Sequence, residues 1–219
     1  MVNITIYIEG VPSENPAVLT VDNSAVFREK CHQLFSQKLS STEFNLQIKP
    51  FGSITQTRKM LEYIEIQCIN AVFLLDLDAP KEKREERLNQ YEPFDTRKIF
   101  FMIQEMEAWI LSQVDKIEAF AKNEGLIRKR EDEAINQNPL IKNKHPEQIN
   151  KPSEKLDTIL RQYFDVVKIR RGKERKIGKR YSKAKDGPKL IGLLELQQMM
   201  QDFDEVERLV DYIKRFSEE

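Results

Sequence analysis

Three acidic residues stand where apolar strands run out. Ile4-Thr5-Ile6-Tyr7-Ile8 leads into Glu9, and Ala71-Val72-Phe73-Leu74-Leu75 leads into Asp76-Leu77-Asp78. In an open parallel sheet, ligands gather outside the carboxyl ends of the strands, so acids delivered there by neighbouring strands converge on one small volume. Hard oxygen donors of this kind suit Mg2+ (or Mn2+), and magnesium takes one or two carboxylates and fills its shell with water and phosphate oxygens. Residues two apart on a strand point the same way, so Asp76 and Asp78 are expected to face the ion together while Leu77 packs behind. Without a cation the three carboxylates repel, and at least one holds its proton to higher pH. The competing reading makes them solvated loop residues at strand ends.

Other residues bear on the same volume. Gly10 follows Glu9 and lets a backbone approach a ligand closely, so the loop to Asn15 is either a phosphate-side segment or an ordinary turn. It has neither Gly-x-Gly-x-x-Gly nor a Gly-Lys-Ser/Thr cradle, which argues against nucleotide binding by those routes. Glu107 follows the apolar run Ile99 to Ile103, and two readings stand: a fourth carboxylate of the site, or an acid favoured at a helix start by the macrodipole. Trp109, at helical spacing with Met106 and Ile110, reads as core, with stacking on a base as the alternative. Between Lys168 and Lys189 eleven Lys/Arg face two acids, Glu174 and Asp186. Phosphate contacts from Arg170, Arg171, Lys173, Arg175, Lys176, Lys179, Arg180 and Lys183 would make nucleic-acid binding strongly salt-dependent, with Tyr181 stacking or bonding a phosphate. The alternative is a solvated, flexible loop. His32 and His145 receive no role.

The elements that must position these residues follow from pattern. The strand Val2 to Ile8 is followed by a helix from a Ser24 cap to about Leu39, a short strand at Leu46-Gln47-Ile48, a helix from about Thr55 to Ile69 and the strand Ala71 to Leu75. That β-α-β-α-β order predicts an α/β fold with a mainly parallel sheet flanked by helices, and the unbroken run at 71–75 suits a strand covered on both faces. Lys81 to Arg87 reads as a solvated charged segment, and Met106 to about Gly125 as a helix. Residues 1–125 form the core, 126–152 a polar and mobile connection, and 153–219 a helical extension with the basic segment, packed on the core. In the extension a helix starts at Pro152-Ser153, another spans Leu190 to Met200, and the last runs from Asp204 to Phe216, with Asp204 and Glu207 spaced as a capping box.

The chain has 219 residues with 36 basic and 36 acidic side chains. A formal net charge of zero gives no global pull toward nucleic acid or membrane, so any polyanion site must be local. Cys31 and Cys68 lie among apolar residues without metal-ligand spacing and are expected as buried, reduced thiols. No apolar stretch approaches a membrane span and no signal-peptide pattern opens the chain, so a cytoplasmic protein is expected.

Ile8-Glu9-Gly10 and Leu74-Leu75-Asp76-Leu77-Asp78 together resemble the TOPRIM domain of topoisomerases, primases, recombination proteins and OLD-type nucleases. Met106-Glu107-Ala108-Trp109, Glu147 to Pro152, and Tyr181-Ser182-Lys183 with Leu190 to Leu194 resemble one TOPRIM-like family of prokaryotic proteins, commonly encoded beside an ABC- or OLD-type ATPase. The resemblance implies a TOPRIM-like (Rossmann-like) sheet, Glu9 as general acid or base, Asp76 and Asp78 as magnesium ligands, and often a homodimer. It implies a magnesium-dependent nuclease on DNA or RNA, the effector of an antiphage system with an ATPase partner. The sequence departs from the TOPRIM pattern at Val11-Pro12-Ser13-Glu14 and at Ala79-Pro80, where glycine is common. No tyrosine is placed as a topoisomerase nucleophile, so strand passage is not implied. Two other readings stand beside the nuclease. One is a non-catalytic adaptor docking to the ATPase. The other is a receiver-like phosphoacceptor, which Gln104-Glu105 disfavours because a Ser/Thr is needed after the fourth strand.

Overall fold

The computed structural model describes residues 1–9, 23–50, 56–67, 69–170 and 172–217. The loop from Gly10 to Asn15, Cys68 and Arg171 lie outside them. β1 (Val2–Ile8), β2 (Phe44–Pro50), β3 (Ala71–Asp76) and β4 (Ile99–Met102) form one sheet in the order β2-β1-β3-β4, all pairings parallel. This is the α/β, Rossmann-like sheet that the sequence predicts. α1 (Asn23–Phe35) and α2 (Thr57–Ile66) make the first two crossovers. The chain leaves β1 on one side for β2 and returns on the other side for β3. The carboxyl ends of β1 and β3 therefore flank the switch point at which an open sheet forms its ligand crevice.

The apolar run of β3 is explained by two covered faces. Val72 and Leu74 join one core with Ile4, Ile6, Ile8 and Phe100, while Phe73 and Leu75 join a second with Tyr7, Leu61, Ile64 and Phe101. Edge strand β2 instead alternates buried and exposed residues, as a strand with one wet face should.

The remaining elements are α3 (Arg84–Asn89), α4 (Glu107–Ser112), α5 (Val114–Asn123), β5 (Ile127–Arg128), α6 (Pro152–Tyr163), β6 (Phe164–Arg170), β7 (Lys173–Gly178), α7 (Asp186–Ile191), α8 (Leu196–Asp202) and α9 (Asp204–Arg215). The helix expected from Met106 to Gly125 is two helices. They part at Gln113, whose amide donates to the carbonyl of Glu195 at 3.0 Å and accepts from its N–H at 2.9 Å. The connection over 126–152 is poor in regular structure but not a loose tether, because Ile135, Ile141 and Ile149 are buried in the main core. The basic stretch is a fold element too, since β6 and β7 pair antiparallel and β5 completes a three-stranded sheet.

Two charge expectations change. The capping box at Asp204 does not form: Phe203 holds the N-cap position, and the Asp204 carboxylate takes Lys81 instead. The charged run near Lys81 is not wholly solvated, because Arg84, 13% exposed, donates to Glu205, 2% exposed, at 2.6 Å. Glu205 also accepts from Arg208 at 2.6 Å and from the N–H of Phe101 at 3.0 Å. Phe101 lies on edge strand β4, so this carboxylate satisfies an N–H that has no neighbouring strand. Cys31 is a buried free thiol, and burial pushes it above its ordinary range. Among the described residues no helix is long and apolar enough to cross a membrane.

Candidate active site

The strand ends deliver the acids in different ways. Glu9 lies one residue beyond β1, and its N–H reaches the carbonyl of Leu74 on β3 at 3.3 Å, so its backbone is docked beside the acid-bearing strand. Asp76 closes β3 with a side chain 19% exposed. After β4 the backbone turns left-handed at Gln104, with φ 63°. There its N–H meets the carbonyl of Ala79 at 3.1 Å, tying the loop after β4 to the loop after β3. α4 then begins with Glu107, whose side chain is fully buried.

Glu107 thus heads a helix and also joins the acid cluster. Its Oε1 accepts the hydroxyl of Tyr181 at 2.9 Å. Lys183 places its Nζ 3.6 Å from Asp76 Oδ2 and 3.9 Å from Glu107 Oε2. Asp76 Oδ1 and Glu107 Oε2 are buried and have no hydrogen-bond partner among the described residues. Burial pushes the Asp76 carboxyl up to about 7; Lys183 opposes the rise, while Asp78, Glu107 and Glu9 add to it. Burial works to lower the ammonium of Lys183, but Asp76 and Glu107 outweigh it and the net displacement is upward.

Asp78 departs from the expected geometry. The strand stops at Asp76, and Asp78 sits in the left-handed region at φ 51°, exposed. Strand alternation no longer applies there, so the two aspartates are not carried side by side by the pleat. Leu77, as expected, is buried behind them. Asp78 and Glu9 remain close enough for their charges to act on Asp76.

The basic segment separates into two groups. Lys173, Arg175 and Lys176 are exposed on β7, Arg180 is exposed just beyond it, and Arg170 is the backbone partner of Lys173. Lys179, Tyr181 and Lys183 are engaged with acids instead, Lys179 and Tyr181 half-buried and Lys183 exposed. Lys179 is bound to buried Asp186 at 2.7 Å, so it is not a free phosphate contact. The Tyr181 hydroxyl is committed to Glu107, so it is not free to bond a phosphate as one of the two expectations had it. Burial, then the negative charge of Glu107, push that hydroxyl above its ordinary range.

Sequence reasoning missed the residues that hold Tyr181. Its N–H donates to Asp157 on α6 at 2.9 Å, and Asp186 takes the N–H of Ser182 at 2.8 Å. Gly187 leaves room for the ring, since a Cβ there would stand 3.1 Å from the Tyr181 hydroxyl. Asp186 counts in the sequence only as one of two acids in the basic stretch, and nothing local ties Asp157 to Tyr181. Trp109 is buried against Phe203 with ring centroids 6.5 Å apart, a core residue. His145 is engaged by Asp202 and Glu147, with its Nε2 2.9 Å from the carbonyl of Asp202.

Among the described residues no three acid, His or Cys side chains form a preassembled ligand group. Two carboxylates are nonetheless enough for magnesium when water and phosphate oxygens complete the shell. Asp76 and Glu107 fit that need, each with an orphaned buried oxygen. A family model described as a domain of unknown function, DUF4276, matches residues 24–214. The chain belongs to the DUF4276 family. No curated protein and no solved structure gives a match. The span shared with DUF4276 takes in Asp76, Asp78, Glu107, Tyr181 and Lys183, and it begins after β1 and Glu9.

Proposed function

We propose that this DUF4276 protein is a magnesium-dependent nuclease, a phosphodiester hydrolase on DNA or RNA that acts in the cytoplasm as the effector of an ATPase-linked antiphage system. The reading is carried by the orphaned oxygens of Asp76 and Glu107 at the switch point of the sheet. Each is a buried acceptor that costs free energy while unmatched, and a hard divalent cation is the partner that suits them. Lys183 does not remove that demand: at 3.6 and 3.9 Å its ammonium is beyond normal hydrogen-bond range of both carboxylates.

Asp76 and Glu107 would hold the ion, with Glu9 and Asp78 at the rim. When bound, it supplies Lewis acidity at the phosphoryl group and a water of lowered pKa. Tyr181 locks the Glu107 carboxylate in place. Lys183, 59% exposed, keeps an ammonium beside the site, where it attracts a phosphodiester. Glu9 would move the proton, as the TOPRIM resemblance implies.

Purified protein with Mg2+ or Mn2+ should cut a nucleic acid, and Asp76→Ala should abolish cutting while circular dichroism stays unchanged. Full activity in that variant sinks the mechanism. One observation favours a second reading, the adaptor that docks to the ATPase: Asp78 leaves the strand and turns to solvent. That reading expects co-purification with the ATPase and no heat of Mg2+ binding that depends on Asp76.

A further inference from the structure

The hairpin of β6 and β7 has no counterpart in the parallel sheet, and its register sorts its side chains by face. In an antiparallel pair, opposed residues share a face and alternate along each strand. Val166 pairs Ile177, Lys168 pairs Arg175 and Arg170 pairs Lys173, which puts Lys168, Arg175 and Lys173 on one face and gives Arg170 a register position on it. The other face carries Asp165, Val167, Ile169, Glu174 and Lys176. One face is therefore uniformly basic above an apolar root, and the other is mixed.

Lys168, Lys173 and Arg175 are exposed. Two neighbouring lysines are tied to acids, Lys179 to Asp186 at 2.7 Å and Lys189 to Glu124 at 2.6 Å. Lys168, Lys173 and Arg175 form no ion pair among the described residues. The basic face descends to a groove of about 560 Å³ lined by Val166, Lys168, Ile177, Arg161 and Arg180, with one acid, Glu124, on its wall. Beyond Gly178, the end of β7, the chain reaches Tyr181 and Lys183 at the acid cluster.

The six paired rows of the ribbon span about 17 Å at ~3.4 Å per residue. A B-form major groove, about 12 Å wide, admits a two-stranded β-ribbon. The A-form major groove of duplex RNA is too narrow for side chains to read, and a single strand offers no groove at all. We infer that the β6–β7 hairpin is a duplex-DNA-binding ribbon, its Lys168/Arg175/Lys173 face laid against the phosphates of a B-form groove, and that double-stranded DNA is the substrate class. This rests on the nuclease reading for its catalytic consequence, but binding itself needs no metal.

The test is fluorescence anisotropy of the full-length protein in EDTA with a labelled 20-base-pair DNA duplex, the matching single strand and the matching RNA duplex. DNA duplex should bind at least tenfold tighter than either competitor. K168Q/K173Q/R175Q should weaken duplex binding roughly a hundredfold at 0.1 M salt and flatten the log–log salt slope by about 2.7, since each phosphate contact contributes about 0.9. K176Q, on the opposite face, should change binding less than threefold. Equal affinity for the three nucleic acids, or an unchanged slope in the triple variant, overturns the inference. So does a loss in K176Q comparable to that of Arg175→Gln alone. Wild type with added Mg2+ separates the two readings: duplex bound but uncut fails the nuclease reading alone, whereas cutting that stays intact in the triple variant fails the ribbon.

Discussion

Asp76→Asn should make the protein more stable, and by an amount that depends on pH. In the fold the Asp76 carboxyl is pushed to about 7, against an ordinary value of 3.8. Between those two values the native state binds more protons at this site than the unfolded chain, so stability falls as pH rises through the window. The loss is absent well below pH 4 and complete above pH 7. Three pKa units at about 1.36 kcal/mol each give roughly 4 kcal/mol, an upper figure for a side chain that keeps some contact with water. Asparagine is neutral at every pH, so the difference between variant and wild type should grow by up to about 3–4 kcal/mol between pH 4 and pH 8. Constant offsets, such as the fit of a buried amide, cancel in that comparison. Urea titrations in EDTA would read it through Trp109, which is buried against Phe203. At a slope of about 2–3 kcal/mol per molar, the midpoints should separate by up to about 1–2 M more at pH 8 than at pH 4. Adding Mg2+ at pH 8 should then narrow the gap, because a ligand at a hundred times its Kd stabilises the wild type by about 2.7 kcal/mol. A stability difference that does not change with pH would refute the placement of Asp76 as a desolvated, under-compensated acid.

Two further outcomes follow from the same geometry. Gly187→Ala puts a methyl group 3.1 Å from the Tyr181 hydroxyl and 3.4 Å from Met106 Cε, so it should cost about 1 kcal/mol of stability but much more in cleavage rate, by moving Tyr181 off Glu107. Stability and rate measured on one preparation check it, and a rate within twofold of wild type would contradict it. Glu205→Ala removes the acceptor of Arg84, of Arg208 and of the Phe101 N–H, leaving a mostly buried guanidinium without its counter-charge. A loss of about 3–5 kcal/mol is expected, measured by denaturation, whereas a loss below 1 kcal/mol would show that the network is dispensable.

The central sheet was legible because its signals are local. An unbroken Ala71 to Leu75 run has few uses other than a strand covered on both faces, and the Glu9 and Asp76 positions follow from where such runs stop. Asp78 was misjudged because alternation was extended past the last ladder residue into a left-handed turn, and no pattern in Asp-Leu-Asp marks that boundary. The hairpin was hidden for a different reason. Its strands are mostly charged and exposed, so the apolar alternation that usually reveals a strand is confined to Val166, Val167, Ile169 and Ile177. Glu205 was invisible because its partners, Arg84 and Phe101, come from distant parts of the chain, and an acid in the first turn of α9 has a sufficient local explanation in the helix dipole.

The division into a sheet domain and a helical extension describes the order of elements but not the energetics. Ile4, Ile6, Val72 and Leu74 from the sheet share one core with Leu156, Ile159, Leu190 and Leu209 from the extension, so the face of β1 and β3 that carries their packing is covered by what comes later in the chain. The acid cluster has the same composition. Its carboxylates come from the ends of β1 and β3 and the start of α4, but the hydroxyl that orients Glu107 and the ammonium beside Asp76 come from Tyr181 and Lys183. Those two residues follow shortly after the hairpin, in a stretch where Asp157 takes the N–H of Tyr181 and Asp186 the N–H of Ser182. A load on the hairpin therefore has a short covalent path, from Gly178 to Lys183, to the groups that set the charge around Asp76. On the proposed reading, binding on the ribbon and chemistry at the carboxylates would be connected through these five residues of backbone.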